Sequence, residues 1–182
     1  MQRAVMHGAQ IYLRPLEESD IPRMTEWVND PEVTRFTSMY RPTTERNVRE
    51  FLERIAGSTE VGFGIARVSD DLLIGTAGLF RIDWRSRNAG FGIAIGEKEE
   101  WSKGIGRETT GLILRYAFET LNLHRVWLEV FEYNPRGIKA YEAMGFTHEG
   151  VEREHIYRDG RYWNVLMMGI LRHEWDARRD QR

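Results

Sequence analysis

The sequence predicts a single mixed α/β domain: a central, mostly antiparallel sheet of about seven strands flanked by about four helices. Three observations carry that prediction. Strand-like runs between Val61 and Ile95 are separated only by short polar turns, which favours antiparallel hairpins. A long amphipathic stretch from Gly104 to Asn122 follows them and leads into another apolar strand, as a helical crossover does. Near the end, Asp159-Gly160 separates two runs rich in β-branched and aromatic residues.

In chain order, Ile11-Tyr12-Leu13 is the first strand. Ser19 or Asp20 then caps a helix with Pro22 in its first turn and Ile21, Met24, Trp27 and Val28 on its apolar face. Asn29-Asp30-Pro31 stops it. A second helix covers Thr44 to Ala56, with Val48, Phe51, Leu52 and Ile55 on one side and Gly57 behind it. Strands follow at Val61 to Val68, Leu72 to Ile82 and Asn88 to Ile95; Ser69-Asp70-Asp71 and Trp84-Arg85-Ser86-Arg87 are their turns. The third helix runs from about Gly104 to Asn122, because Ile105, Thr109, Leu112, Ile113, Tyr116, Ala117 and Thr120 recur at the helical period. Val126 to Phe131 is a buried strand, Pro135 to Met144 a short helix, and Phe146 onward the final hairpin. Residues 1–8 and 177–182 are expected to fray. No repeat or linker divides the 182 residues, so one domain spans the chain.

Composition narrows the function. Apolar residues make up 41% of the chain and aromatics 12%, ample for one core. With 26 basic against 28 acidic residues the net charge is −2, so no electrostatic case exists for binding nucleic acid or an anionic membrane. The absence of cysteine rules out a disulfide frame, a thiol nucleophile and a cysteine metal site. The five histidines show no ligand spacing, so no metal is expected. Met1 to Gln10 has no continuous apolar core for a signal peptide, and no run reaches the roughly 20 apolar residues of a membrane span. A soluble cytoplasmic protein is expected.

Two short patterns carry the chemistry. Trp101-Ser102-Lys103-Gly104-Ile105-Gly106-Arg107 follows a strand and opens a helix. Strand, glycine loop and helix start bring backbone N–H groups together around an anion such as a pyrophosphate. Gly104 and Gly106 permit its close approach, the helix dipole favours negative charge, and Lys103 and Arg107 add full positive charges. The loop lacks the Lys-Ser/Thr ending of a nucleoside-triphosphate loop and the G-x-G-x-x-G form of a dinucleotide site. A plain turn with solvated basic residues is the alternative. About 30 residues further on, Asn134-Pro135-Arg136-Gly137-Ile138-Lys139-Ala140-Tyr141 ends in Met144-Gly145-Phe146. Asn134 before Pro135 is a good helix cap in its own right, and Tyr141 is equally open to a packing role.

Together these segments resemble the GNAT superfamily of N-acetyltransferases. Trp101 to Gly106 is similar to its Gln/Arg/Trp-x-x-Gly-x-Gly/Ala loop. Asn134 to Phe146 is similar to its Asn-x-x-(Ala/Gly/Ser)-Ile-x-x-Tyr-x-x-x-Gly-Phe segment. The likeness extends to Leu13-Arg14-Pro15-Leu16, to Leu121-Asn122-Leu123-His124-Arg125 and to Tyr157 through Tyr162, nearest the ribosomal-protein and spermidine N-acetyltransferase branch.

The resemblance implies transfer of an acetyl group from acetyl-CoA to a primary amine, either a protein N-terminus or a small amine. Polyamines, and a non-catalytic acyl-CoA-binding role, are the alternatives. It implies that Ile93, Ala94 and Ile95 pair with the pantetheine arm, that Lys103 to Arg107 wrap the pyrophosphate, and that Trp101 and Ser102 are cofactor-binding with them. Asn134 would contact the cofactor beyond the thioester, and Tyr141 would return a proton to the leaving thiolate. An ordinary phenol near pKa 10 is a reasonable donor to a thiol near 8.5. Relatives often place a carboxylate at the start of the fourth strand, where this chain has Asn88-Ala89-Gly90. The general base is therefore unassigned, with Asp83, Glu129 and Glu132 as candidates. Trp27, Phe36, Tyr40, Trp84, Tyr157, Tyr162 and Trp163 are candidate acceptor-pocket aromatics, and the final hairpin is a candidate homodimer surface. A polyamine would require an acidic groove, for which Glu17, Glu18, Asp20, Glu26 and Asp30 are available.

Overall fold

A computed structural model of the chain describes residues 5–179. Its eight strands are β1 (Met6–His7), β2 (Ile11–Arg14), β3 (Val61–Arg67), β4 (Leu73–Asp83), β5 (Asn88–Ile95), β6 (Arg125–Phe131), β7 (Thr147–Arg158) and β8 (Arg161–Leu171). They form one sheet in the order β1-β2-β3-β4-β5-β6-β8-β7, antiparallel except between β5 and β6. That parallel pair needs a crossover, which α4 (Ile105–Arg115) supplies. The remaining helices are α1 (Ile21–Asn29), α2 (Pro31–Thr34), α3 (Glu45–Ala56), α5 (Pro135–Met144) and α6 (Arg172–Arg179).

Two apolar layers cover the sheet. On one face Ile105, Leu112, Ile113 and Phe118 from the crossover pack with Ile65, Ile74, Leu79, Phe91 and Leu128. On the other, Ile21, Met24 and Trp27 of α1, Val33 of α2 and Val48 of α3 form a smaller cluster with Leu73.

The expected strands and helices fall where the sequence places them, with β5 and α5 matching to the residue. Thr44 caps α3 through Asn47, and Asp159 (φ 54°) with Gly160 (φ 82°) makes the tight final turn. The differences lie in elements without periodicity. β1 has only two residues, paired to β2, and α6 has a mainly charged surface; both occupy parts of the ends expected to fray, while 1–4 and 180–182 lie outside the described residues. The α2 turn restarts directly after α1, because Pro31 can begin a helix and the Asp30 side chain accepts from Glu32 N. The third helix leaves the α-helical register at Tyr116, where Leu121 N donates to Tyr116 O across a wider turn.

Asp20 precedes α1 but does not cap it with its side chain. Its buried carboxylate instead accepts both Arg14 nitrogens at 2.8 Å and Glu17 N at 2.8 Å, and this pairing raises the Arg14 pKa. Removing one member of a buried ion pair strands the other. Asp20→Ala should therefore cost about 3 kcal/mol of stability in a denaturant titration, and Asp20→Asn somewhat less. A loss below about 1 kcal/mol would mean that Arg14 finds water instead.

Candidate active site

β5 runs beside β4 along its whole length, but beside β6 only from Asn88 to Gly90. Beyond Gly90 the two strands part, leaving an open backbone edge. Ile95 O accepts Trp101 Nε1 across that edge at 2.9 Å, while the next amide, Gly96 N, turns the other way to Ile74 O at 2.9 Å. Polar groups alternate along a strand, so Ile93 presents its N–H and C=O to the same open side as Ile95.

The glycine loop faces this edge. Ser102 (φ 64°) and Gly104 (φ 87°) both adopt left-handed backbone, a conformation that turns successive amides toward one point. For Ser102 it costs about 1 kcal/mol, a strain characteristic of ligand-gripping turns. Helix α4 then starts without a side-chain cap, so its first-turn amides keep their donors and the dipole adds positive charge. A Cβ at Gly106 would meet no atom within 4 Å. Packing therefore does not require glycine there; a hydrogen keeps the approach to the helix start clear. A diphosphate fits such a cradle.

A cleft of about 470 Å3 joins these parts. Ile93, Ala94, Ile95, Trp101, Ser102, Gly104, Ile105, Gly106, Arg107, Asn134 and Tyr141 all line it. Of the cofactor-binding residues nominated from sequence, Lys103 alone does not. Its Nζ lies 3.5 Å from Glu100 Oε2, and Glu100 is buried at the loop and bound to Arg67 at 2.6 Å. Glu100 was hidden in an acidic run, Glu97 to Glu100, that reads as solvated surface. Arg136 was also missed as a site residue; it lines the cleft with its guanidinium 4.8 Å from the Trp101 ring centroid. Arg107, Arg136 and Lys139 line the cleft without an ion pair among the described residues.

Asn134 caps α5, its Oδ1 accepting Gly137 N at 3.0 Å. That bond fixes the amide and leaves Nδ2 without a partner among the described residues. Asn134→Ala should lower the melting temperature by about 2–4 °C, the cost of roughly 1 kcal/mol for a lost cap. An unchanged melting curve would show that the cap carries no net stability.

Tyr141 stands edge-on to Phe91, with centroids 6.3 Å apart, and at 5.9 Å from Phe146. Its hydroxyl has no hydrogen-bond partner among the described residues. Burial pushes the phenol up to about 12, above the ordinary value near 10 expected from sequence.

None of the base candidates reaches the cleft. Asp83 accepts Arg85 N at 2.9 Å and Ser86 N at 3.0 Å in the turn before β5, and the Ser86 bonds lower its pKa. Glu132 holds Asn164 N at 2.7 Å, and Glu129 points to solvent from β6. The expected acceptor wall is corrected likewise. Trp84 lies at the end of β5 away from the opening, Tyr157 and Tyr162 pack on each other at the hairpin tip, and Trp163 donates to Arg158 O. Trp27, Phe36 and Tyr40 do line cavities.

The sequence profile of the acetyltransferase (GNAT) domain matches residues 10–147. The chain belongs to the GNAT acetyltransferase family. It is an N-acetyltransferase that uses acetyl-CoA. It is 30% identical to the spermidine N(1)-acetyltransferase of Vibrio cholerae, over 92% of this chain and 96% of that one. Identity to the probable N-acetyltransferase YjcK of Bacillus subtilis is also 30%, over 92% and 97%. Among solved structures, the Vibrio cholerae spermidine N-acetyltransferase in complex with CoA and spermine is similar at a TM-score of 0.84. That match has 29% identity and covers 92% of this chain and 99% of that one. Among the described residues of this acetyltransferase, no group of three or more His, Asp or Glu side chains is placed to hold a metal ion.

Proposed function

We propose that this acetyltransferase binds acetyl-CoA along the open β5 edge and transfers its acetyl group directly to a primary amine, with Tyr141 as general acid. The observation that carries the reading is the convergence of three features in one cleft: the β5 edge that β6 leaves open at Ile93 and at the Ile95 N–H, the glycine cradle at Ser102 to Arg107, and an unbonded phenol. Bound acetyl-CoA supplies an activated thioester. Ile93 and the Ile95 N–H hold the pantetheine amides by strand-like hydrogen bonds, while Ile95 O stays with Trp101 Nε1, and a β5 amide is available to an oxyanion formed at the carbonyl. The amides of the α4 start, with Arg107, hold the diphosphate. Asn134 Nδ2 orients the arm beyond the thioester. Tyr141 keeps its proton up to a pKa of about 12 and delivers it to the sulfur.

Glu100 is the one carboxylate lining the cleft, and Arg67 and Lys103 hold it. The acceptor is therefore bound as the free amine, without a protein base; the proton its nitrogen loses on forming the amide passes to water, and the Tyr141 phenolate regains its proton from water after giving it to the sulfur. Relatives named for spermidine favour a second reading, a polyamine acceptor. The aromatic hairpin tip supports a homodimer contact. The absence, among the described residues, of a helix long and apolar enough to cross a membrane is consistent with a cytoplasmic enzyme. Thiol release from acetyl-CoA against a panel of amines and peptides, with products identified by mass spectrometry, tests the proposal. Acetylation of at least one amine is expected. Tight CoA binding with no transfer to any acceptor would leave an acyl-CoA-binding domain in its place.

A further inference from the structure

A second cavity, of about 380 Å3, lies on the α1–α3 side of the sheet and meets the cleft at Val33, Thr37 and Ala94. It therefore opens onto the place where an acceptor would approach the thioester. Its wall is apolar: Met24 and Trp27 from α1, Val48 and Phe51 from α3, and Met39 from the loop between α2 and α3. Arg41 is its one charged lining residue, and no carboxylate is among them. Met39, Tyr40 and Phe51 hold 43%, 77% and 37% of their surface in water at its mouth. Three large apolar side chains left wet around one opening mark a surface kept for an apolar ligand.

The acids that would have made a polyamine groove are placed elsewhere. Asp20 is bound by Arg14, Glu18 by Arg49 and Asp30 by Lys98, while Glu17 and Glu26 line neither cavity. A polyamine retains further ammonium groups beyond the one being acetylated. In this cavity each would lose water, gain no carboxylate and meet the Arg41 guanidinium. An aliphatic or aromatic group gains from the same wall, and two flexible methionines let it vary in shape.

We infer that this cavity is the acceptor's side-chain pocket. Its substrate class is a primary amine carried on an aliphatic or aromatic group, with a neutral or anionic far end toward Arg41, and not a polyamine. The inference rests on the amine acetyltransferase reading and narrows it. An apolar N-terminal residue of a peptide and a small apolar amine share this chemistry.

The test compares kcat/KM for phenethylamine, 4-(2-aminoethyl)benzoate, a peptide beginning with leucine, and spermidine, all with acetyl-CoA. At least one apolar acceptor should exceed spermidine by 20-fold or more, and the order among the three separates small amine from peptide. Arg41→Glu, an exposed change, should narrow the gap to spermidine at least fivefold and weaken 4-(2-aminoethyl)benzoate more than phenethylamine. Met39→Glu, also at the mouth, should narrow it in the same direction. Spermidine as the best acceptor of the wild-type enzyme overturns the inference alone. So does an acceptor ratio unmoved by both variants. CoA binding by calorimetry with no acceptor acetylated overturns the acetyltransferase reading and this inference with it.

Discussion

Tyr141→Phe should lower kcat by about 100-fold, within the usual range for loss of a general acid, while CoA affinity and melting temperature stay as in the wild type. The local packing makes this a clean experiment. The ring contacts with Phe91 and Phe146 survive in phenylalanine, and the hydroxyl has no protein partner to orphan. Only the proton is lost. With the phenol near 12 and a free thiol near 8.5, proton transfer would be uphill by about 5 kcal/mol if the sulfur kept its solution value. Burial penalises every anion formed in the cleft, a departing thiolate included, so the gap closes where the transfer occurs. The raised pKa also fixes the pH dependence. A group protonated up to about 12 contributes no falling limb to kcat below about pH 11, whereas a phenol at its ordinary value would begin to ionise near pH 9 and be half ionised near 10. A rate–pH profile that falls with a midpoint near 10 and flattens in Tyr141→Phe would show an unshifted phenol. Unchanged turnover in the variant would remove Tyr141 from the chemistry.

Gly106→Val should weaken CoA binding by about 100-fold in a calorimetric titration without unfolding the protein. The reasoning joins two facts. A Cβ at 106 would lie more than 4 Å from any atom outside its own helix turn, so the fold has room there for a small side chain. The same space leads to the first-turn amides of α4, so a branched side chain blocks the diphosphate. Gly106→Ala sharpens the contrast, since alanine is the better helix former by about 1 kcal/mol and should hold or raise the melting temperature while affinity still falls. Affinity unchanged in both variants would place the diphosphate away from this loop. At Gly104 the comparison would be muddied, because φ of 87° strains any substituted residue.

Much of the enzyme is legible in its sequence because the signals are local. Alternation and turn chemistry place β3 to β5 and the final hairpin, and the helical period places α1, α3 and α4. Asn134-Pro135 marks the start of α5 through the same amide that caps it. The glycine pair and the tyrosine segment are local as well, and eleven of the twelve positions nominated from them and from β5 meet in one cleft. The short β1, the charged α6 and the α2 turn have too little period to be seen, since their stability comes from what they pack against.

What the chain alone determined was an acetyl-CoA-dependent fold with its cradle, its edge strand and its phenol. Pairwise facts between distant segments had to wait for the tertiary structure. Lys103 turned to Glu100 because Arg67, from another strand, holds that glutamate beneath the loop. The Tyr141 phenol rose because packing against the core at the cleft wall partly buries it. The acids of the first helices left the acceptor side because Arg14, Arg49 and Lys98 came within reach of them. Charge and solvation depend on neighbours in space, and sequence order does not encode which neighbours those are.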